Sequence, residues 1–168
     1  IGLAKADTYF KKINTELIGI SVDSLNSHLA WLYDIYLKTG LIVNFPIIAD
    51  QNGVIARKYG MISNDVSSTE TVRNIFIIDD KGIIRSIFVY PMNIGRYIPE
   101  ILRTVTALQY SDQNNCMTPA NWSPGNPMIV PPPKTFNALR ERNESINKNR
   151  NGMCWYLSFK NPETKKLE

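Results

Sequence analysis

The 168-residue sequence contains only two cysteines, Cys116 and Cys154, and a single histidine, His28. The two cysteines lie far apart and form no Cys-x-x-Cys pair, so the sequence carries neither a disulfide framework nor a zinc-binding pattern. One histidine cannot form a metal-ligating cluster. We therefore expect a protein that works without a metal or another cofactor.

The sequence also lacks an apolar run long enough to cross a membrane, and we expect no signal peptide. Lys and Arg exceed Asp and Glu by 19 to 15, a net charge of +4, but they are scattered, and only residues 134–166 are mildly enriched. No aromatic stripe accompanies this basic tail, so nucleic-acid binding is disfavoured. Composition thus predicts a soluble, cytoplasmic protein with no nucleic-acid or membrane partner.

A hairpin is predicted in the middle of the chain, where two β-rich segments flank Asp-Asp-Lys-Gly at residues 79–82. The run at residues 75–78 lacks alternation, which favours a central strand buried on both faces. Arg73 stands at the entry to that strand. A guanidinium cannot lie unpaired inside a sheet, so Arg73 should project from its end, where α/β proteins commonly place their sites. The alternative is a structural arginine paired with Glu70 or another acid at the sheet end.

Helix and strand patterns precede this hairpin. The first helix begins without a capping residue, from which we expect a fragment whose N-terminal part is missing. A buried strand at residues 16–22 leads to Asp23-Ser24, which caps a second helix that ends at Gly40. The predicted core face of that second helix comprises Leu25, Leu29, Leu32, Tyr33 and Tyr36.

The character of the chain changes after residue 110. The predicted division is a core at residues 1–110, lacking its first strands, and a C-terminal arm at residues 111–168. Proline-rich segments make the arm stiff, a short helix capped by Thr135 runs to about residue 146, and residues 155–159 form a lone strand. An arm without a sheet should bury its rings against a partner subunit. These rings are Trp122, Trp155, Tyr156 and Phe159.

Several segments together resemble the peroxiredoxins, and the likeness is strongest to the one-cysteine subgroup with a long C-terminal arm. The segments are residues 14–24, 45–50, 71–73, 76–79, 90–92, 95–96 and 118–122. The resemblance implies an α/β, thioredoxin-like fold and a thiol-dependent peroxidase that reduces hydrogen peroxide and organic hydroperoxides through a cysteine sulfenic acid. It also implies an external thiol reductant and a homodimer formed by arm exchange, with rings of dimers in many members.

One departure from the family is the nucleophile. Family members carry the peroxidatic cysteine in a Pro-Val-Cys-Thr-Thr-Glu type motif in the first turn of the helix with which this chain opens. Neither Cys116 nor Cys154 lies in such a context. The chain by itself is therefore expected to be inactive. The alternative function is that of a non-enzymatic thioredoxin-fold scaffold or holdase.

The resemblance assigns roles to three residues. Arg73 matches the active-site arginine that stabilises the thiolate and the peroxide, and Arg96 matches a second arginine that supports the first through a shared acid. The alternative for Arg96 is an exposed residue in the first turn of a helix. Cys154 lies near the position of a late cysteine that resolves the sulfenic acid in some relatives, and the alternative is a small residue packed beside Trp155. Cys116 is expected to be incidental, and His28 receives no role.

Overall fold

Five helices and seven strands follow one another in the computed structural model, which describes residues 1–62, 73–149 and 152–161. Contacts divide the chain into two units, Ile1–Leu102 and Arg103–Glu168. The elements up to residue 90 are α1 (Gly2–Lys12), β1 (Gly19–Ser21), α2 (Leu25–Thr39), β2 (Ile47–Ala49), α3 (Val54–Lys58), β3 (Arg73–Ile78) and β4 (Ile84–Tyr90). They are followed by α4 (Ile98–Asn114), β5 (Met128–Val130), α5 (Phe136–Asn149), β6 (Gly152–Cys154) and β7 (Leu157–Lys160).

The first unit combines a parallel strand pair with an antiparallel hairpin. β1 pairs with β2 in parallel, and α2 connects them as the crossover of a βαβ unit. β3 and β4 form the predicted hairpin, in which Gly82 of the connecting turn adopts φ +75°, a left-handed conformation that glycine tolerates. This mixture of helices and strands agrees with the predicted α/β class.

The environment of β3 differs from the prediction. Among the described residues β3 pairs only with β4, most of its side chains are half-buried, and Ile78 is 46% exposed. The expectation of a central strand buried on both faces is therefore wrong. The physical reason is that an apolar run without alternation shows only that the segment is hydrophobic. It does not indicate how many strands lie beside that segment.

The first helix forms without a side-chain cap, as its sequence predicts. Ile1 occupies the N-cap position and provides no side-chain hydrogen bond. Ala6 and Phe10 lie in the core, with Phe10 only 1% exposed. Ala6 and Phe10, four residues apart, therefore lie on the inner side of α1.

The second helix has the predicted ends but a different inner face. Ser24 accepts a hydrogen bond from the Ser27 backbone N–H at 3.1 Å, and Gly40 ends the helix at φ +68°. The fully buried residues of α2 are His28 and Ile35, while four of the five predicted core residues are exposed. These four are Leu25, Leu29, Tyr33 and Tyr36. Apolar side chains cover so much of this helix that their pattern cannot identify the covered side.

The second unit contains a sheet that the sequence did not predict. β7 lies between β5 and β6 and pairs antiparallel with both, so the expectation of a sheetless arm with a lone strand is wrong. Strands of three or four residues are too short to show a clear period. The Thr135 cap is confirmed by a hydrogen bond from the Ala138 N–H to Oγ1 at 3.2 Å. The helix that follows, α5, continues to Asn149.

Trp122 does not need a partner subunit for its burial. It is 1% exposed, and its ring lies 5.5 Å from that of Tyr110 in the same unit. Its indole N–H donates to the Asn126 carbonyl at 2.9 Å, and its own carbonyl accepts from Arg103 at 3.1 Å. The prediction that this ring packs on a partner is therefore wrong. Trp155 and Tyr156 remain 38% and 60% exposed.

Candidate active site

Arg73 lies at the open end of the β3–β4 hairpin. It is the first residue of β3 and stands opposite Tyr90, the last residue of β4. The side chain is half-buried, and Arg73 is the first residue of β3 that the structure describes. Glu70, the alternative partner, and the motif residues Thr71 and Val72 lie outside the described residues.

Arg96 lies in the connection between β4 and α4. It is exposed and precedes Ile98, the first residue of α4, so its expected place in the first helical turn is wrong. Partial loss of solvent and the positive charge of Arg73 both lower the pKa of Arg96, while Tyr90 acts in the opposite direction. Arg96 nevertheless stays cationic near neutral pH because the guanidinium pKa is so high.

The effect of the Arg73 charge on the pKa of Arg96 indicates that the two arginines lie near each other, and Tyr90 also affects the pKa of Arg96. Within residues 1–62, 73–149 and 152–161, neither guanidinium is ion-paired to a carboxylate. Two neighbouring cations at a sheet end favour the binding of an anion, since an anion relieves their mutual repulsion.

Cys154 lies on β6 in the second unit, half-buried and free of disulfide bonding. A hydrogen bond with the Cys154 side chain is the main cause that raises the pKa of Tyr156. The neighbouring Trp155 ring packs edge-on against Tyr156 at 5.3 Å. Cys154 thus has both a polar contact and aromatic neighbours, and this geometry fits either of the roles considered for it. Cys116 is buried, as a packed thiol would be.

Sequence reasoning missed the polar cluster around the buried His28. The side chain is 5% exposed, and Nε2 lies 2.7 Å from Oγ of Ser21, whose hydroxyl donates to Asp23 at 2.7 Å. Because the Ser21 proton goes to Asp23, His28 Nε2 must donate to Ser21. The arrangement is therefore not a serine nucleophile with its base. The available signal was the spacing: His28 lies one turn into a capped helix and seven residues after Ser21, which ends β1.

The described residues contain no group of three or more His, Cys, Asp or Glu side chains that could hold a metal ion. Over the same residues, no helix is both long and apolar enough to cross a membrane.

Two family models match the chain. Residues 1–87 match the AhpC/TSA family, and residues 107–145 match the C-terminal domain of 1-Cys peroxiredoxin. A peroxiredoxin 2 of Caldanaerobacter subterraneus subsp. tengcongensis is 49% identical over 162 residues, which are 95% of this chain and 72% of that protein. A peroxiredoxin of Aquifex aeolicus is 43% identical over 170 residues, covering 95% of this chain and 75% of that protein.

Solved structures agree with the sequence relatives. The yeast mitochondrial 1-Cys peroxiredoxin superposes with a TM-score of 0.79 at 38% identity, covering 95% of this chain and 76% of that one. A cysteine-to-serine mutant of peroxiredoxin 6 of Arenicola marina gives 0.78 at 29% identity, covering 98% and 78%. The fold is therefore that of the thioredoxin-like thiol peroxidases. The chain belongs to the peroxiredoxin family, and its function is thiol-dependent reduction of peroxides. None of these relatives favours the scaffold or holdase alternative.

Proposed function

We propose that Arg73 is the residue that stabilises the peroxidatic thiolate and the peroxide during reduction. The observation that carries the proposal is the position of Arg73 at the first residue of β3, opposite Tyr90. A second guanidinium lies nearby, since partial burial and then the charge of Arg73 lower the pKa of Arg96. A thiolate is the reactive form of cysteine, and a permanent cation nearby favours it over the thiol. A planar guanidinium also holds the two oxygens of a peroxide better than a point charge would.

The proposed chemistry has two stages. The thiolate attacks one peroxide oxygen in line, the O–O bond breaks, and the departing oxygen takes a proton to leave as water or an alcohol. The cysteine becomes a sulfenic acid. A first thiol then condenses with the sulfenic acid to a disulfide and releases water, and a second thiol attacks that disulfide to regenerate the cysteine. Arg73 acts in the first stage, where negative charge develops on the departing oxygen.

The experiment uses a chimera in which a relative's segment with the family cysteine motif is fused ahead of Ile1. We expect the 168-residue chain to react with peroxide only as fast as an ordinary free thiol, and the chimera to reduce it rapidly. In the chimera, Arg73→Ala should cost about 2–4 kcal/mol of transition-state stabilisation, roughly a hundredfold to a thousandfold in rate. Arg73→Lys should restore part of the rate, because charge returns without the planar fork.

Stopped-flow kinetics and a thiolate titration measure both effects. The cysteine pKa should rise in Arg73→Ala, and Arg140→Ala serves as the control because its side chain is 68% exposed and its salt bridge with Glu144 is long at 3.9 Å. An Arg73→Ala chimera within a few-fold of the parent would mean that Arg73 only supports the sheet end.

For Arg96 we propose a supporting role that operates through Arg73. Its proximity to Arg73 and Tyr90 supports this role. Arg96→Ala should lower the rate of the chimera less than Arg73→Ala does. Adding Arg96→Ala to the Arg73→Ala variant should have little further effect. Additive losses in this double-mutant cycle would assign Arg96 an independent role.

Cys154 is proposed as a resolving cysteine, supported by its partial burial and its polar contact with Tyr156. Peroxide treatment of the chimera should then give a disulfide between Cys154 and the added cysteine, visible on a non-reducing gel. Cys154→Ser should abolish the crosslink, and Cys116→Ser is the matched control because Cys116 is buried. Unchanged crosslinking and turnover in Cys154→Ser would leave a packing role only.

We further propose that the second unit mediates a homodimer, which can assemble into a ring, in a cytoplasmic enzyme. Exposed apolar side chains in this unit support an interface: Phe136 is 76% exposed, Met153 81% and Tyr156 60%. Deletion of all residues from Cys116 onward should convert the chimera to a monomer in sedimentation. The triple variant Phe136→Ser, Met153→Ser, Tyr156→Ser tests the surface without removing the sheet. A dimer of unchanged affinity in both the deletion and the triple variant would contradict the proposed interface. Cell fractionation tests the proposed cytoplasmic location.

A further inference from the structure

One arginine of the second unit joins the helix α5 to the turn that follows Cys154. Arg142 is half-buried on α5, and its Nη1 donates hydrogen bonds to two backbone carbonyls, that of Pro131 at 2.6 Å and that of Trp155 at 3.3 Å. Hydrogen bonds from a charged guanidinium are stronger than those between neutral groups. The peroxide chemistry described above does not use this residue.

Both carbonyls lie at the same end of the three-stranded sheet. Pro131 follows Val130, which pairs with Ser158 of β7, and Trp155 lies in the turn between β6 and β7. The two residues after Pro131 are also prolines, which have no N–H to donate to a neighbouring backbone. Arg142 therefore supplies a donor at an end of the sheet where residues 131–133 have none.

The turn that Arg142 contacts is short. Cys154 of β6 pairs with Leu157 of β7, so only Trp155 and Tyr156 connect the two strands. In so short a connection the backbone conformation of the turn determines the pairing of the strands beside it. A contact that holds the Trp155 carbonyl thus also acts on the last residue of β6, which is Cys154.

The other end of β6 is constrained by a close approach of two backbones. A Cβ on Gly152 would lie only 2.8 Å from the Ser158 Cα, a distance that leaves room for glycine alone. The strand pairing is irregular between Gly152 and Cys154. With its backbone held at Gly152 on one side, Cys154 has a thiol whose direction depends on the turn on the other side.

We propose that Arg142 is a positioning residue for Cys154, which holds the turn in the conformation from which the thiol reaches the sulfenic acid. The inference rests on the resolving role proposed above for Cys154. In that step the Cys154 sulfur attacks the sulfenic sulfur, an S–S bond forms and the S–O bond breaks, and the departing hydroxide takes the thiol proton to leave as water. Arg142 acts in this step through the carbonyl of Trp155, the residue next to Cys154.

The first measurement is the rate at which iodoacetamide alkylates Cys154 in the 168-residue chain, followed by mass spectrometry of the peptide that contains it. Arg142→Met removes both hydrogen bonds and keeps an unbranched side chain. It should speed alkylation about tenfold, the effect expected when a charge-assisted hydrogen bond no longer holds a half-buried thiol in place. Arg142→Lys should return the rate part of the way, because an ammonium group can still donate to a carbonyl.

The second measurement is the rate at which Cys154 forms a disulfide with the added cysteine in the chimera after one equivalent of peroxide. Here Arg142→Met should slow the reaction about tenfold, since a mobile thiol meets the sulfenic acid in the productive geometry less often. A thiol that is merely more accessible would react faster in both measurements. Opposite changes in the two rates therefore identify a loss of positioning.

Two variants of α5 serve as controls. Arg140→Met removes a positive charge from a side chain that is 68% exposed, and it leaves the turn untouched. Ile146→Val shortens a buried residue and should lower the stability of the second unit, again without touching the turn. Both controls should match the parent in both rates.

An unchanged alkylation rate in Arg142→Met would overturn the proposal, and so would an unchanged or faster disulfide in the chimera. An equal acceleration of alkylation in Ile146→Val would also overturn it, because lost stability would then explain the result. If the parent chimera forms no Cys154 disulfide while Arg142→Met still speeds alkylation, the resolving role of Cys154 fails and the positioning of its thiol by Arg142 stands.

Discussion

The segment around Trp122 in the second unit and the helix α2 in the first unit differ in how far they bury their large apolar side chains. In the second unit Trp122 and Met128 are almost fully buried, at 1% and 0% exposure. In the first unit the helix α2 leaves Leu25, Leu29 and Tyr33 at 57–62% exposure, although their spacing marks one face of a helix. Residues of the second unit therefore cover Trp122. On α2, by contrast, Leu25, Leu29 and Tyr33 form an apolar row that is exposed to solvent.

This difference shows what amphipathic spacing measures. The spacing of α2 identifies which side chains share a face, and it carries no information about what covers that face. An exposed apolar patch of this kind is typical of a surface that meets another protein surface. The energetic consequence can be tested, because buried and exposed apolar residues of equal size should differ in their contribution to the free energy of unfolding.

The largest effect should come from truncating Trp122. Trp122→Ala removes a fully buried ring and should destabilise the second unit by about 3–5 kcal/mol, through lost burial and the cavity left behind. Trp155→Ala is the matched control, since Trp155 is 38% exposed, and it should cost much less. Urea unfolding followed by the indole and methyl signals of each unit measures both. If the two variants lower the free energy of unfolding equally, the burial of Trp122 does not distinguish it energetically from the exposed rings.

A smaller effect should separate the two faces of α2. Ile35 is 6% exposed and Leu29 is 57% exposed on the same helix. Ile35→Ala should destabilise the first unit by about 2–4 kcal/mol, while Leu29→Ala should stay within about 1 kcal/mol. Urea unfolding of the two variants gives the comparison. If Leu29→Ala lowers the free energy of unfolding as much as Ile35→Ala does, the Leu29 face is covered in solution. A destabilisation that depends on protein concentration would identify that cover as an interface between copies of the chain.

Features set by neighbouring residues were predictable from the sequence. The Ser24 and Thr135 caps, the helix end at Gly40 and the β3–β4 hairpin each depend on side chains a few residues apart. The covered face of α2 and the three-stranded sheet of the second unit depend on distant segments, and local periodicity could not predict them. The sheet consists of strands three or four residues long, so it left almost no periodic signal.

In the candidate site, too, some features could be predicted from the sequence and others could not. Arg73 was predicted from its place at a strand entry and Arg96 from family likeness, and the structure brings their charges within reach of each other. Whether they act in catalysis stays a prediction. The Ser21–His28 contact was missed because it joins a strand end to a helix, and a lone histidine on an apolar helix carries no distinctive pattern.

The smallest effect concerns a buried carboxylate in the first unit. Asp50 is 7% exposed, and its Oδ2 accepts a hydrogen bond from the Ala56 N–H at 2.8 Å. Burial alone would raise the pKa of Asp50, but the N–H groups of Ala56, Ile55 and Val54 and the charge of Arg57 outweigh it, so the pKa lies below its usual value. The ionised carboxylate therefore stabilises the fold above the unfolded-state pKa of about 3.9, and this stabilisation is lost as the pH falls through the lower folded-state value.

Asp50→Asn should separate this contribution from general acid effects. The variant keeps the size of the side chain but has no charge, so it should be less stable than the parent near neutral pH and lose less stability as the pH falls from about 5 to about 2.5. Asp34→Asn is the control, because the Asp34 side chain is 51% exposed and pairs with Lys38 on the surface of α2. Urea midpoints across this pH range, read from first-unit signals, measure the difference. Parallel pH profiles for the parent and Asp50→Asn would mean that hydrogen bonding to Asp50, and not its charge, stabilises the start of α3.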